Sequence, residues 1–148
     1  MQSLDTEGQA KPSKEAALLA HVGDALSVNG YKYSVDDSNK TISLGFSGSM
    51  FNISVFIFCG SGFLTFQARL PIVVKEKHAD RLTLLANDLS VSLPIGGFEL
   101  NRKLGYFFFK VGRYTFDFPD KEEIDTMLSL AVSSIDSASA AVNKVFSE

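Results

Sequence analysis

The sequence predicts an α+β domain, an antiparallel sheet with helices on one face, in the order α-β-β-β-β-α-β-β-α. Apolar residues recur at helical spacing in three segments, near the start, in the middle and at the end of the 148-residue chain. Six short stretches between them alternate at period two and are bounded by glycine, proline or short polar residues. Neighbouring strands are joined by a few residues. That suits antiparallel pairing, because parallel strands need a long crossover.

Residues 1–12 mix glycine, glutamine, lysine and acids without periodicity and read as a flexible N-terminal tail, leaving 13–148 as a single domain. Ser13 is a good N-cap for a first helix whose inner face is Leu18, Leu19, Val22, Ala25 and Leu26, and Asn29-Gly30 supplies its stop. Strands are expected over Tyr31–Val35, Lys40–Phe46, Phe51–Cys59 and Phe63–Leu70, with the Asp36–Asn39 turn and Gly60-Ser61-Gly62 as reversals. The second helix, about Lys75 to Ser90, turns Ala79, Leu82, Leu85, Ala86 and Leu89 to one side. Pro94 and Gly96-Gly97 lead into strands Phe98–Asn101 and Tyr106–Phe116. Asp120 caps the last helix, with Glu123 at its third position in a variant of the capping box. Ile124, Met127, Leu128, Ala131, Ile135, Ala138, Val142 and Val145 form one stripe over about six turns, opposite Ser129, Ser133 and Ser137.

Composition narrows the functional classes. The net charge of −3 argues against nucleic acid and anionic membrane surfaces as partners. No apolar h-region opens the chain and no run is long enough to span a bilayer, so a cytoplasmic location is expected, with no membrane partner. Cys59, the sole cysteine, reads as a small core hydrophobe.

Signatures of catalysis are missing. His21 and His78 stand on different helices without a second ligand at metal spacing and read as surface or boundary histidines. The acids Asp117, Asp120, Glu122, Glu123 and Asp125 read as a helix cap and first-turn charges. The glycine pairs lack the Lys-Ser/Thr of a phosphate loop and the dinucleotide pattern. Lys75, Lys77, His78 and Arg81 read as a solvated basic face. The expectation is a chain that is not an enzyme and uses no cofactor and no metal.

One pattern does point to a surface. In Phe51–Cys59, Phe51, Ile53, Val55 and Ile57 share one face while Phe56 and Phe58 share the other. In Tyr106–Val111, Phe107, Phe109 and Val111 oppose Tyr106 and Phe108. A sheet covered on one side alternates apolar and polar; these strands carry rings on both sides. Phe56, Phe58, Phe63, Tyr106 and Phe108 are therefore expected to form a partner-binding or dimer surface, interspersed with Asn52, Ser54, Thr65, Gln67, Arg69 and Lys110. Fully open, five rings would expose on the order of 1,000 Å², above the roughly 300–600 Å² of a typical monomer's largest apolar patch. The alternative is that the sheet curls or the tail covers the rings.

Leu70-Pro71, a helix from near Lys75 through Arg81 to Asn87, the segment Leu93-Pro94-Ile95-Gly96-Gly97-Phe98-Glu99-Leu100 and the aromatic strand Gly105–Lys110 together resemble the YbjN family. These are small bacterial proteins labelled sensory transduction regulators. The order of elements follows the family over about Ala17–Val145, and its second Asn is Ser90 in this chain. The resemblance implies a fold similar to type III secretion chaperones, which are acidic homodimers that bind polypeptide, and it implies no known enzymatic activity. Two functions follow as expectations: a non-enzymatic regulatory or protein-interaction domain acting through a homodimer or partner surface, or a secretion-chaperone-like protein holding an extended client segment.

Overall fold

The computed structural model describes residues 13–148, so the expected tail over residues 1–12 lies outside the described residues. Helices α1 (Lys14–Val28), α2 (Glu76–Ser90) and α3 (Lys121–Phe146) accompany strands β1 (Ser34–Asp36), β2 (Thr41–Ser47), β3 (Asn52–Cys59), β4 (Phe63–Arg69), β5 (Gly97–Asn101) and β6 (Tyr106–Tyr114). The element order is the one the sequence predicts. All pairings are antiparallel, and the sheet runs β1-β2-β3-β4-β6-β5. Its first four strands are a meander, and β6 then pairs with β4 and pushes β5 to the edge.

The helices form a layer on one face. The α3 stripe from Ile124 to Val145 is buried throughout and packs on β3, β4 and β6, with α1 against β2 and β3 beside it. Facing it are Ile53, Val55 and Ile57 of β3, Leu64, Phe66 and Ala68 of β4, and Phe107, Phe109 and Val111 of β6, all buried. Cys59 belongs to this core, and desolvation pushes its thiol up to about 11. Caps fall where expected. Ser13 Oγ accepts from Ala16 N at 3.1 Å, and Asp120 Oδ1 accepts from Glu123 N at 2.8 Å. The return arm of the expected capping box is absent: Glu123 instead pairs with Arg113 Nε at 2.7 Å, which ties α3 to the end of β6.

The first strand is shorter than expected. The ladder begins at Ser34, and Tyr31 and Tyr33 lie before it, Tyr31 donating to Asp125 Oδ1 at 2.5 Å and Tyr33 paired with Ser27 Oγ at 2.7 Å. The bond to Asp125 is also the main reason the Tyr31 hydroxyl holds its proton above the ordinary tyrosine range. One histidine departs from expectation. His78 is 8% exposed, its ring 4.8 Å from that of Phe146, and so it lies outside the basic face where the sequence put it. It stands four residues before Leu82 and shares that residue's inward side. His21 is partly buried, its Nε2 donating to the Pro119 carbonyl at 2.5 Å.

The two sheet edges are finished differently. At β5, Ser90 Oγ accepts the outward N–H of Phe98 at 2.8 Å and donates to Ala86 O at 2.7 Å, fastening the edge to α2. At the other side β1 covers only Thr41–Ser43 of β2. The bonds Cys59 N to Lys40 O and Gly48 N to Phe51 O, each 2.9 Å, bracket β2 and assign its even-numbered residues to β3. In an antiparallel ladder the intervening Gly45 and Ser47 then aim their N–H and C=O groups at the open edge.

Candidate interaction surface

Cross-strand partners lie on the same face of a sheet, and the register fixes which residues share the side away from the helices. Phe56 stands opposite Gln67, Phe58 opposite Thr65, Arg69 opposite Phe108, and Phe63 opposite Tyr114, while Tyr106 pairs with Asn101. All five rings singled out from the sequence therefore occupy the outer face. They are not equally open. Phe108 is only 6% exposed, flanked by its cross-strand partners Arg69 and Glu99, and Phe56, Phe58 and Tyr106 are half-buried. Of the five rings Phe63, at 40%, is the one that is exposed, so the open area falls well short of the upper bound.

Arg69 accounts for much of the cover. Its guanidinium lies 4.1 Å from the Phe56 ring centre and 4.0 Å from that of Tyr106, a cation held between two aromatic faces. Nε donates to Gln67 Oε1 at 2.6 Å, and Gln67 is itself buried. Tyr106 and Phe108 tilt together at 5.4 Å, and Phe56 and Phe58 stack at 6.5 Å. Desolvation lowers the Arg69 pKa, and the Tyr106 hydroxyl partly offsets that.

Arg69 also differs from the other arginines in what it pairs with. Arg81 pairs with Glu148, Arg102 bridges Glu76 (2.6 Å) and Asp80 (2.8 Å), and Arg113 bridges Asp117 (3.2 Å) and Glu123 (2.7 Å). Among the described residues, no carboxylate lies within 4.0 Å of Arg69. Beside it opens a hollow of about 500 Å³, walled by Thr41 and Ser43 of β2, floored by Phe56 and Phe58, and bounded at the far side by Asp36 and Asn39. The Asp36 carboxylate accepts Asn39 N at 3.2 Å and Asn39 Nδ2 at 2.8 Å, and these bonds hold its pKa below the usual carboxylate value.

The opposite end of the outer face is bare. Phe63 meets Tyr114 edge-on at 5.2 Å, and Tyr114 stacks on Phe116 at 5.7 Å. Tyr114 is 66% exposed and Phe116 94%. Gly112 makes room for this strip: a Cβ there would meet the Phe63 ring at 2.8 Å and Leu64 O at 2.9 Å. Neither Tyr114 nor Phe116 figured in the sequence-based surface. For Tyr114 the signal was available, because the alternation through Tyr106 and Phe108 runs on to 114.

Another cavity, about 360 Å³, lies between α3 and the open end of β2, with Tyr31, Phe46, Leu128 and Val132 in its lining. Among the described residues no group of three or more His, Cys, Asp or Glu is placed to hold a metal, and no helix is long and apolar enough to cross a membrane.

No family model matches the sequence, and no curated protein matches it. Among solved structures, the fold matches that of YbjN from E. coli, described as a candidate transcription regulator. The superposition gives a TM-score of 0.65 at 13% sequence identity and covers 83% of this chain and 92% of that one. The chain thus has a YbjN-like fold.

Proposed function

We propose that this YbjN-like domain is a non-catalytic protein-interaction module whose outer sheet face associates with a second copy of the chain or with another protein. The observation that carries the reading is the strip Phe63–Tyr114–Phe116, three aromatic rings in contact and largely open at one end of a face that no helix of the described residues covers. Aromatic rings deliver large buried area with little rotamer entropy to lose, which favours them at association surfaces. A regulatory role of the kind ascribed to YbjN would then be exerted through binding. On this face Lys110 is paired with Glu99 at 3.3 Å and Asp36 is bonded to Asn39, an arrangement that suits a docking surface better than acid–base chemistry.

The simplest partner is a second copy, and light scattering tests it. The wild-type protein is expected at dimer mass, falling to monomer mass in Tyr114→Ser plus Phe116→Ser. A folded double variant of unchanged mass counts against the strip as the dimer contact. A second reading, a chaperone-like holder of an extended client segment, is favoured by the open groups of Gly45 and Ser47 next to the apolar cavity of Phe46, Leu128 and Val132, a setting for strand addition with a side-chain pocket alongside. A wild-type protein that stays monomeric but keeps an aggregation-prone polypeptide in solution would favour it.

A further inference from the structure

We infer that the hollow beside Arg69 is a second binding site on the outer face, one that recognises an acidic side chain of a bound polypeptide through the Arg69 guanidinium. It is separate from the aromatic strip: Phe63 and Arg69 stand six residues apart on one strand, roughly 20 Å at about 3.3 Å per residue. The guanidinium carbon sits over the faces of two rings, which narrows the directions left for hydrogen bonding. Nε is committed to Gln67, so the remaining donors belong to the terminal nitrogens. A planar guanidinium edge matches the two oxygens of a carboxylate, and charge-assisted bonds of this kind are among the stronger ones in proteins. The other arginines have their carboxylates within the chain; this one is held by Gln67 and two rings, is partly desolvated, and lines a hollow whose one carboxylate, Asp36, is bonded to Asn39 and makes no ion pair with it among the described residues.

The surroundings select among anions. Asp36 on the far wall and Glu99 across from Phe108 disfavour a dianionic phosphate more than a singly charged carboxylate. The Phe56 and Phe58 floor suits the methylenes that carry the carboxylate of a glutamate. Ser43 and Thr41 leave room for a backbone to pass, and the small Gly45 and Ser54 line up beside them across β2 and β3.

The test is a titration of the intact wild-type protein, followed by proton–nitrogen correlation spectra of the Arg69 Nε–H and the backbone amides of Ser43 and Phe56. The probes are acetyl-Gly-Glu-Gly-amide, its Gln counterpart and inorganic phosphate at matched ionic strength. Saturable shifts with the Glu peptide are expected, about tenfold tighter than with the Gln peptide, a difference worth about 1.4 kcal/mol. Arg69→Lys, which keeps the charge and loses the fork, is expected to abolish the response. Shifts that do not saturate, an equal response to the Gln peptide, tighter binding of phosphate, or undiminished binding by a folded Arg69→Lys protein would each overturn the assignment. The wild-type titration stands whether or not that variant folds. Because the strip plays no part in it, loss of the dimer in Tyr114→Ser plus Phe116→Ser leaves this result unchanged, so the two readings fail separately.

Discussion

The two faces of the sheet carry aromatic residues in comparable number and bury them by different means. On the helix side Phe66, Phe107 and Phe109 are fully covered, and Phe98 packs against both Phe107 and Phe109 at the β5 edge. Three helices supply that cover. On the outer side no helix is present among the described residues, and rings are covered by what can reach sideways within the sheet: Arg69 laid between Phe56 and Tyr106, Gln67 beneath its Nε, and Phe108 between strand neighbours. Where such a long side chain is lacking, at Phe63, Tyr114 and Phe116, the rings stay open. Aromatic residues on the helix side thus report on folding, whereas those on the outer side divide into a self-covered half and an open half available for contact.

Substitutions should separate these regimes, beginning with the core. Phe66→Ala removes a fully buried ring and is expected to cost about 3–5 kcal/mol in urea unfolding. A cost under about 1 kcal/mol would mean the helix face is not the tightly packed one. The next effect comes from pH. Cys59 has its thiol raised by burial from 9.0 to about 11. Below pH 9 both folded and unfolded states keep the proton. As pH rises through this window the unfolded chain loses it first, so stability falls by on the order of 2–3 kcal/mol. Unfolding midpoints of wild type and Cys59→Ala compared across that window would show it as a steeper alkaline loss in wild type.

On the outer face the effects shrink. Gly112→Ala places a methyl group under Phe63 and against Leu64 O, and is expected to cost about 1–3 kcal/mol while displacing the strip, which thermal melting together with the oligomeric mass would register. Tyr114→Ser plus Phe116→Ser should change monomer stability least, by roughly 0.5 kcal/mol per site or less, since neither ring is packed away. A large loss on melting would place the strip with the folding core and erase the distinction between the two halves of the outer face.

Much of this was legible in the sequence. Period-two alternation placed Phe56 and Phe108 on the side opposite Ile57 and Phe109, because backbone geometry alone decides it. Helical spacing did the same for the α3 stripe. Two kinds of fact were not legible. Which outer rings are covered depends on where the Arg69 side chain lies, and the alternation that puts Arg69 on that face says nothing about its reach. The inward turn of His78 was obscured by its position among Lys75, Lys77 and Arg81, where composition suggested solvent although the four-residue step to Leu82 pointed inward. Tyr114 belongs to neither kind, since parity was enough to find it, while Phe116 lies just past the end of β6.

The Ser90 hydroxyl that holds the Phe98 amide has a consequence for growth of the sheet. A ribbon with two free margins can polymerise, each new copy offering the next a landing site. Among the described residues, this ribbon is fastened to a helix at Phe98 on its β5 margin, whereas the opposite margin, β1 together with Gly45–Ser47 of β2, is unpaired. One open margin can accept a single guest strand, or meet the same margin of a twin, and addition then stops. Any association through that edge would therefore be limited to a one-to-one pairing, with a serine in the helix next door as the chain terminator.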